Sequence, residues 1–457
     1  MKIMDKISFY TALFSAKIIN HCLHLIKSPG TSLPGYVAMR ISKNFLSFIS
    51  KYCREKTITV TGTNGKTTTS GLFANILKSA NNTVLHNAKG ANMPAGIATS
   101  LAVGYKPFSK FDYAVLETDE AYLTKLYDYI NIDYLLLTNL FADQLDRYGE
   151  SDTTAKKIQE AIAKNKELKL IVNADDPMLF ELGKDNERIF FGFETVTYKT
   201  STKNDVSTTE NVICSCNSNL FYEEQYYGHV GRYYCRNCQK RRPEPKYKAH
   251  AVIFDDSSEI YVKYFENSSE KEYCFKTHMV GLYNAYNVLA AISLALELGI
   301  NSETIQYSLD NYKTMFGRAE KKVVNDRNVF IQLIKNPTGA NEVLKTINPD
   351  ITKKILMIIN DQYADGRDMS WLWDTNFELL KNYENEIVLS GSRAYDMAVR
   401  LKYSGFDTNK IVIKKEIKDA MNYALSSIEK NEQLLVMPTY TALLEMQKIW
   451  ERIASRG

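Results

Sequence analysis

At 457 residues the chain is longer than one hydrophobic core usually organises, so two or three domains are expected. Its 45% hydrophobic and 24% charged residues are those of an ordinary globular protein, and a net charge of +4 without a basic stripe gives no case for nucleic acid as a partner. Seven cysteines, four of them between Cys214 and Cys238, argue against a disulfide framework and for a metal site.

Ile7 to Ile26 is apolar but interrupted by Lys17, Asn20, His21 and His24. It is too polar for a membrane span and has no small-residue cleavage site, so it reads as an amphipathic helix packing on the domain, with a membrane surface as the alternative, and the protein as cytoplasmic. Ser28 to Gly35, rich in Pro and Gly, reads as a loop. Thr57 to Val60 reads as a buried strand, followed by a Gly-rich turn and a helix over Thr67 to Ala80. Tyr113–Leu116, Tyr134–Leu137 and Leu168–Val172 are further apolar strands, each ending in polar residues. The alternation predicts an α/β fold with a mostly parallel sheet, its ligand at the carboxyl ends of the strands.

Between about Tyr198 and Pro245 the helical periodicity stops and Ser, Asn, Cys, Tyr and Arg accumulate, as in a small inserted module. A helix over Asn284 to Leu298 follows. Strands at Val329–Leu333, Ile355–Ile359, Ile387–Leu389 and Leu434–Met437 then predict a separate, Rossmann-like C-terminal domain. The expected division is 1–315, with the insertion at about 205–246, and 316–457.

Gly62-Thr-Asn-Gly-Lys66-Thr67 lies between a predicted strand and a predicted helix. Backbone N–H groups and the helix N-terminus would face an anion, Lys66 would neutralise it, and the Thr67 hydroxyl would ligate Mg²⁺. With Thr68, these residues (Gly62, Thr63, Asn64, Gly65, Lys66 and Thr67) are the expected ATP-binding set. Glu117, at the end of a strand, can complete the Mg²⁺ shell, because Mg²⁺ takes few carboxylates beside phosphate and water. Cys214-Ser-Cys216 and Cys235-Arg-Asn-Cys238 suit a tetrahedral Cys₄ Zn²⁺ ribbon. Cys22, Cys53 and Cys274 read as buried thiols, and neither Cys53 nor Cys274 sits in a nucleophile-like turn.

Thr61-Gly-Thr-Asn-Gly-Lys-Thr67, Glu117, Thr138-Asn139, Asp143-Gln-Leu-Asp146, Asn173-Ala-Asp-Asp176, Gly281-Leu-Tyr-Asn284-Ala-Tyr-Asn287 and Gly317-Arg-Ala-Glu320 occur in that order over about residues 57 to 320. The set resembles the Mur ligase superfamily, the ATP-dependent amide ligases of peptidoglycan precursor synthesis. The resemblance implies that Asn284 and Asn287 contact the nucleotide and that Arg318 reaches the γ-phosphate from a domain hinge. It also implies phosphorylation of a substrate carboxylate to an acyl phosphate, which an amine then attacks. Gln144 stands where members usually carry a metal-binding histidine, so one Mg²⁺ is the safer expectation. The phosphate loop begins near residue 61 with no UDP-binding domain ahead of it, which turns the expectation from a UDP-linked substrate to a lipid-linked one.

The cysteine module, Tyr226 to Cys235, Lys335-Asn-Pro-Thr-Gly339, Asp361-Gln-Tyr-Ala-Asp-Gly-Arg-Asp368-Met-Ser-Trp-Leu-Trp-Asp374 and Pro438-Thr-Tyr-Thr-Ala442 narrow the resemblance. They are similar to the synthetase subunits of lipid II isoglutaminyl synthase. That branch implies a heterodimer with a glutaminase, GatD, which supplies ammonia. The lipid II substrate would be met at the inner face of the membrane, and the α-carboxylate of D-isoglutamate converted to D-isoglutamine. An aspartate of the synthetase completes the glutaminase's Cys-His pair, and Asp365 or Asp368 stands where it is expected; either could equally form an Asx turn around Gly366. Two rivals are a stand-alone ligase adding an amino acid and a nucleotide-regulated scaffold. Lys66, Glu117 and Arg318 together argue against the scaffold, which needs no γ-phosphate clamp.

Overall fold

Strand β1 (Cys53–Thr61) lies inside a nine-stranded sheet and delivers the chain into the phosphate loop. The computed structural model describes residues 3–25, 32–88, 91–106, 109–141, 151–200, 212–266, 268–313, 318–324, 326–430 and 432–454. Chain order continues with β2 (Val84–His86), β3 (Phe111–Glu117), β4 (Tyr134–Leu137), β5 (Lys169–Asn173), β6 (Arg188–Lys199), β7 (Phe221–Tyr227), β8 (Val230–Tyr234), β9 (Tyr247–Phe254), β10 (Ser258–Glu266) and β11 (Ser269–Thr277). The first sheet runs β11-β10-β9-β6-β5-β4-β1-β3-β2, parallel from β2 to β9 and antiparallel through β10 and β11. The antiparallel hairpin β7–β8 stands apart from it.

Because helices cover both faces, the central strands are apolar throughout, as parallel strands must be when neither face meets water. Alternate residues divide between two cores. Ile58, Val60, Val115 and Leu136 pack beside helices Lys66–Ser79 and Leu282–Glu297, while Ala114, Leu116, Leu135 and Leu137 join the core on the opposite face. The chain leaves β1 toward β3 and β2, then returns to the other side as β4. That reversal opens a crevice at the carboxyl ends of β3, β1 and β4, the usual ligand position in such sheets.

The second sheet is built from β12 (Arg318–Val324), β13 (Arg327–Gln332), β14 (Thr352–Ile358), β15 (Ile387–Ser390), β16 (Ile411–Ile413) and β17 (Gln433–Pro438), in the order β12-β13-β17-β14-β15-β16. All neighbours are parallel except β12 and β13. It too has a core on each face, with Ile355 and Met357 in one and Leu356 and Ile358 in the other.

The N-terminal helix Ile3–Leu25 packs on the first sheet's outer layer through Phe9, Ala12, Leu13 and Ala16, a helical i, i+3, i+4, i+7 stripe. Phe9 stacks on Phe45 and Phe48 at centroid distances of 5.2 and 3.9 Å. The loop expected over Ser28 to Gly35 is corrected at its end, where helix Leu33–Ile41 begins. Pro34 lies in that helix's first turn, where a missing N–H costs nothing. Gly35 is there for close approach: its N–H donates to Thr99 Oγ1 at 2.8 Å, and a Cβ would collide with the Ala95 carbonyl. Among the described residues no helix is long and apolar enough to cross a membrane.

Candidate active site

The turn from β1 into helix Lys66–Ser79 uses two glycines with positive φ, Gly62 at 129° and Gly65 at 85°. Both also lack space for a side chain, since a Cβ would meet Thr138 at Gly62 and Asn287 at Gly65. The loop is held by β4's exit: Thr63 N donates to Asn139 O at 2.8 Å and Asn64 N to Asn139 Oδ1 at 2.9 Å. Thr138 Oγ1 donates to Asn64 O at 2.8 Å. The result is a rigid nest at a helix N-terminus, where partial positive charge gathers and an anion binds.

Lys66 Nζ contacts Gly62 O at 2.5 Å and forms a buried ion pair with Glu120 Oε1 at 2.8 Å. Burial raises the Glu120 carboxyl above its ordinary range, with Lys66 opposing the shift. Thr67 Oγ1 donates to Glu117 Oε1 at 2.8 Å, and Glu117 Oε2 is buried with no hydrogen-bond partner among the described residues. An orphaned carboxylate oxygen beside a threonine hydroxyl and a phosphate nest is the donor set a hard, oxygen-seeking divalent cation uses. Asn87 fixes the Glu117 backbone by bonds to its N–H and carbonyl.

Asn284 and Asn287, on helix Leu282–Glu297, line the same cavity. Asn284 Nδ2 is turned to Val280 O at 2.8 Å, and Asn287 packs beneath Gly65. Arg318 begins β12 in register with Gln332, which lines the cavity; the Arg318 side chain lies outside the described residues, as do Asp143, Gln144 and Asp146. Tyr283 accepts a hydrogen bond from Gln332, and burial pushes its phenol upward so that it stays protonated.

The second sheet closes the site. Lys335 Nζ donates to Thr63 O at 3.0 Å and Asn336 Nδ2 to Asn64 Oδ1 at 3.1 Å, while Asn336 caps helix Pro337–Lys345. The cavity, about 410 Å³, is lined by the phosphate loop on one side and by Asn360, Tyr363, Asp365 and Trp371 on the other. The two aspartates of the acidic stretch part company. Asp365 is buried, accepting from Thr441 N at 2.7 Å and Gln362 N at 3.1 Å, whereas Asp368 is partly exposed and accepts from Ser370 N at 2.8 Å.

The Sγ atoms of Cys214, Cys216, Cys235 and Cys238 all lie within 4.8 Å of one another, with the pairs 214–238 and 216–235 at 3.5 Å. Metal–sulfur bonds of about 2.3 Å place tetrahedral sulfurs about 3.8 Å apart, so the cluster fits one tetrahedral ion. The module is clamped to the first sheet: Arg242 pairs with Asp175 and Glu194, and His229 Nε2 lies 3.1 Å from Asp176 Oδ1. The other thiols correct expectation. Cys22 is exposed, and Cys53 and Cys274 are only partly buried.

Glu120, Lys335 and Asn336 had no role assigned to them from the sequence. Glu120 was hidden because nothing in the spacing from Glu117 says which carboxylate faces Lys66. Lys335 and Asn336 announce themselves only by the Asn-Pro start of a helix.

The folds of both sheets, the phosphate nest and the cation-ready pair Thr67–Glu117 define an ATP- and Mg²⁺-dependent ligase of the Mur type. The model of the Mur ligase middle domain matches residues 60–295, and that of the MurT ligase C-terminal region matches residues 333–443. Among solved structures, a pseudomurein peptide ligase type C from Methanothermus fervidus shares the fold at TM-score 0.66 and 24% identity, over 89% of this chain and 80% of that one. The chain is 34% identical to the lipid II isoglutaminyl synthase (glutamine-hydrolyzing) subunit MurT of Streptococcus pneumoniae, over 93% of each chain. It is 32% identical to the protein of that name from Staphylococcus aureus strain COL, over 96% of each. The chain belongs to the MurT family.

Proposed function

We propose that this chain is the synthetase subunit of a lipid II amidating complex, using ATP to convert the α-carboxylate of D-isoglutamate in the stem peptide to the amide of D-isoglutamine. A carboxylate oxygen attacks the γ-phosphorus of ATP and ADP leaves; ammonia then attacks the acyl phosphate carbon and inorganic phosphate leaves. Gly62 to Thr68 and Lys66 hold the phosphates, Asn284 and Asn287 shape the nucleotide wall, and Arg318 supplies a second cation at the transferred phosphoryl group. Thr67 and Glu117 hold Mg²⁺, which neutralises charge on the phosphates when bound. Zn²⁺ at Cys214, Cys216, Cys235 and Cys238 is structural.

The observation that carries the reading is the single cavity shared by the phosphate loop and the Asp365 stretch. It supports ammonia entering from a GatD-type glutaminase docked beside Asp368, where Tyr363 and Trp373 are exposed aromatic anchors. The lipid of the substrate would bring the complex to the inner face of the membrane.

The test supplies ATP, lipid II and either glutamine or ammonium to the chain with and without a candidate glutaminase. Amidation is expected from ammonium with the chain alone, and from glutamine only with the partner. Incorporation of an amino acid in place of ammonia would overturn the reading in favour of a stand-alone ligase.

A further inference from the structure

The N-terminal helix Ile3–Leu25 has two apolar faces, and only one is covered. Phe9, Ala12, Leu13 and Ala16 meet the domain. On the opposite side Met4, Ile7, Phe14, Ile18 and Leu25 are between 47% and 81% exposed. At 100° per residue these five fall within one stripe about 80° wide, centred roughly opposite the buried set. The stripe continues onto helix Leu33–Ile41, where Leu33, Tyr36 and Ile41 are exposed. The two helices are joined by the Ser8 Oγ hydrogen bond to Ile41 O at 3.2 Å.

We infer that this face lies on the lipid surface and seats the enzyme on the membrane that carries its substrate, an inference that rests on the lipid-linked acceptor proposed above. Charge identifies the occupant. The first 56 residues hold nine Lys and Arg against two Asp and Glu, whereas the whole chain has an excess of only four, so the rest is slightly acidic. Arg40 and Lys43 are exposed on either side of Ile41 in the chain, and Lys6 is exposed on the flank of the N-terminal helix, about 120° from the centre of its stripe. An apolar stripe bordered by cations is the pattern of a helix lying in the interface of an anionic bilayer, and this helix is too polar to cross one. Position agrees: Ser32, exposed and directly before Leu33, lines the active-site cavity, so the face begins beside the cavity that a stem peptide would have to reach. The proposed glutaminase surface, by contrast, belongs to the second sheet's unit.

The experiment is co-sedimentation of the full chain, with its glutaminase, on phosphatidylglycerol–phosphatidylcholine vesicles and on phosphatidylcholine vesicles. Binding is expected on the anionic vesicles, weaker on the neutral ones and weaker at high salt. Ile7→Ser, Phe14→Ser and Ile18→Ser combined should weaken it about tenfold or more. Arg40→Glu with Lys43→Glu should remove the preference for anionic lipid. Both variants should amidate detergent-solubilised lipid II at the wild-type rate while falling behind on vesicle-embedded lipid II. Wild-type vesicle binding by the triple variant, or no binding by the unmodified complex, would overturn the inference. So would a triple variant that instead loses a dimer of this chain or its glutaminase, because a protein then covers the face. Failure of the unmodified complex to amidate solubilised lipid II would sink the reaction assignment while leaving the vesicle result to stand by itself.

Discussion

Lys66 and Glu120 form an ion pair in the wall of the cavity, Nζ to Oε1 at 2.8 Å, with both side chains about nine-tenths buried. The lysine proposed to meet a phosphate is thus already neutralised, and an incoming nucleotide would compete with Glu120 for it. In magnesium-free buffer Glu120→Gln should bind ATP more tightly, by up to about tenfold, because the competitor has lost its charge. Lys66→Ala should weaken ATP binding and also lower the unfolding midpoint, since it leaves a buried carboxylate alone. Titration calorimetry checks the first point; weaker binding by Glu120→Gln would mean that the carboxylate serves the nucleotide rather than competing with it.

His86, on β2, sits behind the same helix, its Nε2 3.3 Å from Ser70 Oγ. Burial, with help from the Lys78 charge, lowers its pKa from 6.5 to about 4. Between those values the unfolded chain binds a proton that the folded one does not, so stability is lost as pH falls through this window and the loss is complete below it. The shift sets a ceiling of about 3 kcal/mol on the effect. Urea unfolding from pH 7 to pH 4 should show a steeper loss for the wild type than for His86→Gln; identical slopes would remove His86 from the account.

The parts of this site that were legible in the sequence are those where one residue type is forced by local geometry. Gly62 and Gly65 occupy positive-φ positions with no room for a Cβ, and they announce the phosphate loop without any knowledge of the rest. Strands buried on both faces were equally plain, since Tyr134-Leu-Leu-Leu137 admits no solvent side. What stayed hidden depends on contacts distant in sequence. Asp365 and Asp368 look alike in Asp-Gly-Arg-Asp, and only Thr441, far along the chain, makes one of them structural. Helix Leu33–Ile41 was masked because Pro and Gly signal loops as readily as helix starts and close packing.

The cysteine module reaches the active site through a short chain of contacts. Arg242 and His229 grip the adjacent Asp175 and Asp176, and Tyr227 of β7 lines the cavity. Loss of a tetrahedral ion should therefore be felt at the nucleotide. The purified chain is expected to carry zinc, and Cys235→Ser should lose it, unfold at lower temperature and show a raised KM for ATP, because metal binding and local folding are one equilibrium. Metal analysis and a melting curve decide this; a metal-free protein whose stability is indifferent to Cys235→Ser would leave the four sulfurs as packed thiols.

Asp365 and Asp368 should separate cleanly by experiment. Asp365 is sequestered by Thr441 and Gln362, and burial raises its carboxyl above the ordinary range, whereas hydrogen bonds from Ser370 hold Asp368 below it and leave it facing outward. A carboxylate that orients a partner's histidine must be charged and accessible, which favours Asp368. Asp368→Asn is expected to cut glutamine-dependent amidation by about two to four orders of magnitude while sparing the ammonium-dependent reaction. Asp365→Asn should lower both activities together and shift the unfolding midpoint. Its pH signature has a definite sign: with the folded pKa raised, the native state holds a proton the unfolded chain has released, so stability falls as pH rises from about 3.8 through the raised value, and the asparagine variant should lack that fall. If Asp365→Asn is instead the variant that loses only glutamine use, the buried carboxylate must swing out from Thr441 when the glutaminase docks, and Asp368 becomes the turn residue.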